Sequence, residues 1–340
     1  MKKRILLSYG TRPELIKLFK IQKLLNCDTL FSGQHYSLIK EYQGLIGKPT
    51  HTLSGVDLSN CTLDQKVAIL LPKIGEVVTL YDGVIVQGDT LTTYVTALSA
   101  FQQHKKIFYV ESGLRTGDLL APFPEEGYRQ MISRIASVNF APTPLAESNL
   151  KKECVPGEVL ITGNTVVDAV KDFNFTIKDE KVILVTIHRR ENIDRLEKIF
   201  YSLNECAIRN PALQFIFPMH PNPLIHEKKY LLSAKNFKII DPISYANLLE
   251  ILSRCSLVIT DSGGIQEETA SFGKRCIVCR DKTERPEGVS AGLAFLCGDS
   301  PSEIFSEIVS MKPWKGTNPY GDGLASEKIC QSISESWGVN

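Results

Sequence analysis

LVITDSGGIQEETASFGKRCIVC, residues 257 to 279, reads as strand, turn, helix and strand in 23 residues. Leu257 to Thr260 is apolar and β-branched at strand length, and so is the run that ends at Val278. Ile265 to Phe272 between them has the composition of a helix. Two parallel strands need a crossover connection, and a helix supplies it. The junction Asp261-Ser262-Gly263-Gly264 is small and polar where a packed connection would be bulky. A strand running into a helix there exposes unpaired N–H groups at a positive helix end, which suits a phosphate. Glycines let an anion reach the backbone, and Ser262 adds a hydroxyl. Glu267 and Glu268 lie one turn in, within reach of a sugar diol. A capped, tightly packed helix explains the same residues equally well. The stretch is not a Walker loop, because no Gly-Lys-Ser/Thr follows it.

The same unit recurs outward in both directions. Short apolar strands alternate with helical segments at Ile5–Tyr9, Gly83–Gln87, Ile107–Val110, Val182–Thr186, Gln214–Pro218 and Phe237–Ile240. That alternation predicts an α/β protein with doubly wound parallel sheets covered on both faces. The series restarts after the charged segment FTIKDEK (175–181), so two Rossmann-like domains are expected, residues 1–172 and 173–320. The last amphipathic piece, within 321–340, follows the Pro/Gly-rich KPWKGTNPYGDG and is expected to pack back on the first domain.

Composition agrees and removes several function classes. A chain of 340 residues exceeds the usual single-domain size. With 39 Lys+Arg against 38 Asp+Glu, the net charge of +1 makes no electrostatic case for nucleic acid or an anionic membrane. The apolar runs are far short of a membrane span. Met1-Lys2-Lys3-Arg4 looks like a signal-peptide charge cluster, but the apolar segment ends at Gly10 without a cleavage site, so a cytoplasmic location is expected. Nine scattered cysteines fit a reducing compartment. Cys276-x-x-Cys279 falls in a strand, where residues three apart face opposite ways, so core packing is expected and no metal.

In open parallel sheets, ligands sit outside the carboxyl ends of the strands. The chemistry-bearing residues fall there. Gly10-Thr11-Arg12-Pro13-Glu14 follows the first strand, with Arg12 at the ligand face and Lys17 one turn on. VQGDT (86–90) ends a strand at Asp89, and VESGLRTGD (110–118) ends another at Glu111. PFPEEGYR (122–129) opens a helix with Glu125 and Glu126. Each carboxylate alone reads as a cap or a surface charge. Together they suit proton transfer at carbon, which needs one carboxyl protonated and another ionised. In the second half, VTIHRREN (185–192) carries His188 and Arg189, FPMHPNP (217–223) carries His220, and RDKTERPE (280–287) carries Arg285, a fork-shaped donor for a diphosphate.

These motifs in this order resemble the non-hydrolysing bacterial UDP-N-acetylglucosamine 2-epimerase family, over residues 5 to 300. The resemblance implies the GT-B arrangement, two Rossmann-like domains facing a cleft. It implies that UDP is held by Ser262, Gly263 and Gly264 at the phosphates, Glu268 at the ribose and Arg285 at the diphosphate. Arg12 would reach in from the first domain, with Lys17 supporting the cleft and His220 lining it. Asp89, Glu111 and Glu125 match the acidic residues assigned to proton transfer, and His188 the histidine at the leaving diphosphate. No cofactor is implied, the partner is a UDP-sugar, and the usual state is a homodimer. The implied reaction interconverts UDP-GlcNAc and UDP-ManNAc through bound 2-acetamidoglucal and UDP. Other readings are a hydrolysing relative that releases ManNAc, an epimerase for a modified UDP-sugar, a GT-B glycosyltransferase and a nucleotide-sugar sensor.

The chain departs from the pattern in places. Gln87 stands where family members carry His, Ser112 replaces an Ala, and Gly127-Tyr128-Arg129 replaces x-Asn-Arg. Gln34-His35-Tyr36 and Asn60-Cys61 fall where some members bind a second UDP-GlcNAc as activator, through Gln-His-Arg and Arg-Gln. Weak or absent activation is therefore expected.

Overall fold

The computed structural model describes residues 3–33, 47–53, 55, 56, 58 and 60–337. They fall into two units: Met1–Ala169 with Gly321–Asn340, and Val170–Tyr320. Gln34, His35 and Tyr36 lie outside the described residues.

The first unit is built on seven parallel strands: β1 (Ile5–Tyr9), β2 (Asp28–Phe31), β3 (His51–Thr52), β4 (Gly83–Gln87), β5 (Lys106–Val110), β6 (Val138–Ala141) and β7 (Glu158–Ile161). Their order in the sheet is β3-β2-β1-β4-β5-β6-β7. The central strand β4, GVIVQ, is buried along its whole length, as a strand covered on both faces must be. Leu6, Val84, Val86, Ile107 and Tyr109 pack beneath Leu70, Ile74 and Val95 from the covering helices.

The chain returns to this unit in the Ala325–Ser336 helix, which packs on the Arg12–Leu25 helix. Lys20 pairs with Glu327 at 3.0 Å, and the Trp337 ring meets Phe108 edge-on at 5.2 Å. Leu324 precedes this helix and has no side-chain acceptor, so its first amides need a partner from elsewhere. Asp168 supplies it, accepting from Ala325 N at 3.1 Å and Ser326 N at 2.6 Å. Burial raises the Asp168 carboxyl above its usual range, and these bonds oppose the shift.

The second unit has six parallel strands: β8 (Val182–Thr186), β9 (Gln214–Pro218), β10 (Phe237–Ile240), β11 (Leu257–Thr260), β12 (Arg275–Val278) and β13 (Ala294–Leu296). Their order is β10-β9-β8-β11-β12-β13. Its core joins Ile183, Val185, Phe215, Phe217, Ile259 and Ile277 to Phe200, Leu203 and Phe305 from helices. Phe215 stacks on Phe237 and Phe305, each at 5.6 Å. Truncating it to Ala is expected to cost about 3–5 kcal/mol.

The order of strand addition reverses once in each sheet, between β1 and β4 in the first unit and between β8 and β11 in the second. The helix connections diverge at these switch points and leave a crevice at the strand ends, where ligands of doubly wound folds bind. The turns after these four strands are GTRP, GDT, IHRR and DSGG.

Candidate active site

In the first unit, Gly10 and Thr11 turn the chain from β1 into the Arg12–Leu25 helix. A Cβ on Gly10 would stand 2.2 Å from Thr92 Oγ1 and 2.6 Å from Ser32 Oγ, so only glycine fits. Pro13 occupies the first helical turn, and Glu14 closes a capping box with Thr11. Glu14 is buried and accepts from Gly10 N, Thr11 N and Thr11 Oγ1 at 2.7–3.0 Å. Its other oxygen accepts from Thr90 and Thr93 at 2.7 and 2.8 Å, which ties the turn after β1 to the turn after β4. Burial raises its carboxyl and the hydrogen bonds oppose the shift. Arg12 is half-buried on this turn and has no partner among the described residues.

Glu111 follows β5 with φ of 63°, a left-handed conformation that costs a non-glycine residue roughly 1–2 kcal/mol. Two donors converge on its Oε2: Lys17 Nζ at 2.5 Å and Gln87 Nε2 at 2.6 Å. All three side chains are buried. Asp89 follows β4, and its Oδ2 takes a two-pronged contact from Arg129, Nε at 2.9 Å and Nη2 at 2.5 Å. Arg129 also reaches Glu126 at 3.2 Å, and Glu126 in turn accepts from Thr116 N and Gly117 N. Glu126 thus braces the GLRTGD loop. Its neighbour Glu125 is different: Oε2 is buried with no hydrogen-bond partner among the described residues.

In the second unit, Ser262 caps the Gly263–Ser271 helix, its hydroxyl accepting from Ile265 N at 3.5 Å. The glycines expected in a loop form the first helical turn instead, and their amides precede the first intrahelical bond. A Cβ on Gly263 would lie 2.3 Å from Arg285 Nη1, so glycine is what admits that guanidinium. Arg285 is buried and engaged within the protein: Nε reaches Glu267 at 2.7 Å and Nη1 reaches Glu284. Arg280 joins Glu284 at 2.7 Å and Glu191 at 2.6 Å, and Arg189 stands 3.7 Å from Glu284. Glu267 is therefore a buried ion-pair partner rather than a side chain turned to a sugar. Glu268, one residue on, is buried on the same helix.

Asp261 closes β11 and is fully buried. Its carboxylate accepts from His188 N, Arg189 N and Asn192 Nδ2 at 2.8–3.1 Å, and His188 Nδ1 lies 3.2 Å away. Burial alone would raise this carboxyl. The His188 ring, the Arg189 amide and Asn192 outweigh it and hold the carboxyl below its usual range. The ring of His220 stacks on that of His188 at 5.8 Å.

Lys17, Asp89, Glu111 and Arg12 thus stand at the strand-end edge of the first sheet, and His188, His220 and Ser262 to Gly264 at that of the second. Sequence reasoning named no role for Glu14, Arg129, Asp261 or Glu284. Their motifs were visible, but nothing in one dimension says which side chain a carboxylate will meet. Asp261 carried only a positional signal, since it follows a strand directly. Cys276 and Cys279 are both buried free thiols, and Cys279 lies 3.8 Å from Cys297.

Comparison with known proteins extends this picture over the whole chain. The UDP-N-acetylglucosamine 2-epimerase of Campylobacter jejuni is 38% identical over 373 residues, covering 97% of each chain. That of Escherichia coli (strain K12) is 34% identical over 379 residues, covering 98% of this chain and 99% of its own. The S. aureus MnaA-UDP co-structure superposes with a TM-score of 0.92 at 34% identity, covering 100% of this chain and 98% of that one. The Neisseria meningitidis UDP-GlcNAc 2-epimerase bound to UDP-GlcNAc superposes with a TM-score of 0.91 at 33% identity, covering 98% and 100%. These likenesses place the two Rossmann-like units in the GT-B class. With the family pattern itself matched from residue 19 to residue 334, the chain belongs to the UDP-N-acetylglucosamine 2-epimerase family.

Proposed function

We propose that this protein is a non-hydrolysing UDP-N-acetylglucosamine 2-epimerase, reversibly interconverting UDP-GlcNAc and UDP-ManNAc without a cofactor. In this reading UDP belongs to the second unit. The amides of Gly263 and Gly264 and the Ser262 hydroxyl meet the phosphates, Glu268 the ribose, and His188 and His220 the diphosphate. Arg285 braces the glycine turn through Glu267 and Glu284 and acts on the ligand from behind it. Arg12, with no partner among the described residues, is the cation offered by the first unit.

The proton at C2 of the sugar is not acidic, so its removal is coupled to departure of UDP from C1. A carboxylate takes the C2 proton, its electron pair forms the C1=C2 bond, and the C1–O pair leaves with the diphosphate. Bound 2-acetamidoglucal and UDP result. Proton delivery to the opposite face of C2, with return of UDP to C1, gives the epimer. Lys17 stands beside Glu111 and Arg129 beside Asp89, so each carboxylate is paired with a cation. Glu125 offers the substrate an oxygen with no partner among the described residues. Exclusion of water from the glucal separates this outcome from hydrolysis. A homodimer in the cytoplasm, with little activation by a second UDP-GlcNAc, completes the reading.

The observation that carries it is the Lys17–Glu111–Gln87 cluster, a buried strand-end carboxylate facing a buried cation. A protein that only bound UDP has no use for such a base, and one that passed a sugar to an acceptor needs no acid and base on both faces of C2. The test is incubation with UDP-GlcNAc in deuterated water, followed by NMR. Deuterium at C2 of UDP-ManNAc is the expected result. Free ManNAc would mean hydrolysis, and turnover only with an added acceptor would mean glycosyl transfer.

A further inference from the structure

We infer that Asp261 is a positioning residue that sets the tautomer of His188, opposite to the one the Asn222 amide sets in His220, making His188 the proton carrier at the departing diphosphate and His220 a fixed donor beside it. The inference rests on the reading above for its role in turnover, though not for its geometry.

The two rings stack at 5.8 Å with 22° between their planes, and each has Nδ1 committed within the protein. The partners are of opposite kind. His188 Nδ1 faces the Asp261 carboxylate at 3.2 Å, and a carboxylate accepts, so this nitrogen carries the hydrogen. His220 Nδ1 faces the Asn222 backbone N–H at 3.3 Å, and an amide donates, so this nitrogen is bare. In the neutral rings, His188 therefore presents an Nε2 lone pair and His220 an Nε2–H. When the C1–O bond breaks, the fixed donor meets the growing charge on the diphosphate directly. His188 Nε2, protonated from solvent before the sugar nucleotide binds, can give that proton to the departing oxygen and take it back when UDP returns. Asp261 then stabilises the imidazolium without becoming protonated itself, as the buried carboxylate of a Ser-His-Asp triad does.

The sheet explains why Asp261 can do this and no side chain on the histidine's own strand can. β8 and β11 are hydrogen-bonded neighbours, with Thr186 opposite Thr260 and Asp261 N donating to Thr186 O at 3.2 Å. The residues just past both strand ends therefore meet side by side. His188 N and Arg189 N also donate to Asp261, so the turn that aims the ring hangs from the same carboxylate. Asn192 spans Asp261 and the Cys279 carbonyl at 3.0 Å each and fixes the carboxylate from the other side.

A purely structural role would be a turn cap indifferent to the ring, and ring tautomers separate the two. The experiment is 15N–1H correlation of histidine-labelled wild-type protein at a pH where the rings are neutral, with His188→Gln and His220→Gln assigning the signals. His188 is expected with hydrogen on Nδ1 and His220 with hydrogen on Nε2. Hydrogen on Nε2 in both rings would overturn the inference, whatever the variants do. Asp261→Asn is then expected to move the His188 hydrogen to Nε2. It should lower kcat by about 10²-fold or more with little change in KM. A folded Asp261→Asn protein with wild-type kcat would equally sink the proposal. If that variant does not fold, the wild-type tautomers alone decide. Absence of any C2 exchange in the wild type would remove the epimerase reading while leaving the tautomers to be read.

Discussion

The two switch points share a topology and differ in charge. After β1 and β4 the crevice of the first unit holds carboxylates, Glu111 and Glu14 buried and Asp89 half-buried, each steadied by a cation or by hydroxyls: Glu111 by Lys17, Asp89 by Arg129, Glu14 by Thr90 and Thr93. After β8 and β11 the crevice of the second unit holds a helix start, two imidazoles and three arginines, with glutamates behind them. Strand order decides where a ligand can sit. The residues one to three places past each strand decide which ligand. A doubly wound sheet is therefore indifferent to whether its crevice works on carbon or grips phosphate, and the proposed function gives this chain one of each.

The comparison breaks most sharply at Glu111. Glu111→Gln removes the proposed base but keeps the shape and the contact with Lys17. Deuterium incorporation at C2 should fall by about 10²-fold or more, while UDP titration of the same protein is unchanged. Loss of UDP binding in that variant would mean that the division of labour between the units is wrong.

Lys17→Met comes next, because it leaves a buried carboxylate without its cation. Breaking one partner of such a pair costs about 3–5 kcal/mol, read by urea denaturation. The double variant Lys17→Met/Glu111→Gln should recover much of that stability and none of the activity. Equal stability of the single and double variants would mean the charge pair is not what holds the site.

In the second unit the contrast is between adjacent glycines. Gly263→Ala drives a Cβ into the Arg285 guanidinium and should destabilise by about 1–3 kcal/mol. Gly264→Ala meets only Ser262 Oγ at 4.0 Å, inside a helix, and should leave thermal stability unchanged or raised by up to about 1 kcal/mol. Similar melting temperatures for the two variants would contradict the close approach.

The smallest effect concerns acid. Asp261 is held below its unfolded value of about 3.9, so its stabilising contribution is complete above that pH. The contribution is lost as pH falls through the folded value. The stability difference between wild type and Asp261→Asn should therefore narrow below about pH 4 and hold constant above it.

Much of this molecule could be read in one dimension. Strands such as Gly83–Gln87 and Leu257–Thr260 are buried on both faces, so their apolar runs are unbroken and bounded by small polar turns. Asp28–Phe31, His51–Thr52, Glu158–Ile161 and Ala294–Leu296 escaped notice because they are short, lie toward the sheet edges and carry polar or exposed positions. Val138–Ala141 escaped although buried, because four residues interrupted by Asn139 make too short an apolar run. The site motifs were legible because their residues are consecutive. The internal partners of Arg285 were not, since nothing in one dimension places Glu267 and Glu284 beside it.

The sequence by itself determined the alternation of strand and helix, the placing of glycines and ionisable groups just past strand ends, and membership of a family. Periodicity and turn chemistry are local, and local patterns are written in order along the chain. Only the tertiary structure decided that Lys17 meets Glu111 across 94 residues, that Arg129 clasps Asp89, and that Asp261 stands under His188. Those pairings are set by which strands lie side by side, and a carboxylate's chemistry follows from the donor it faces in space.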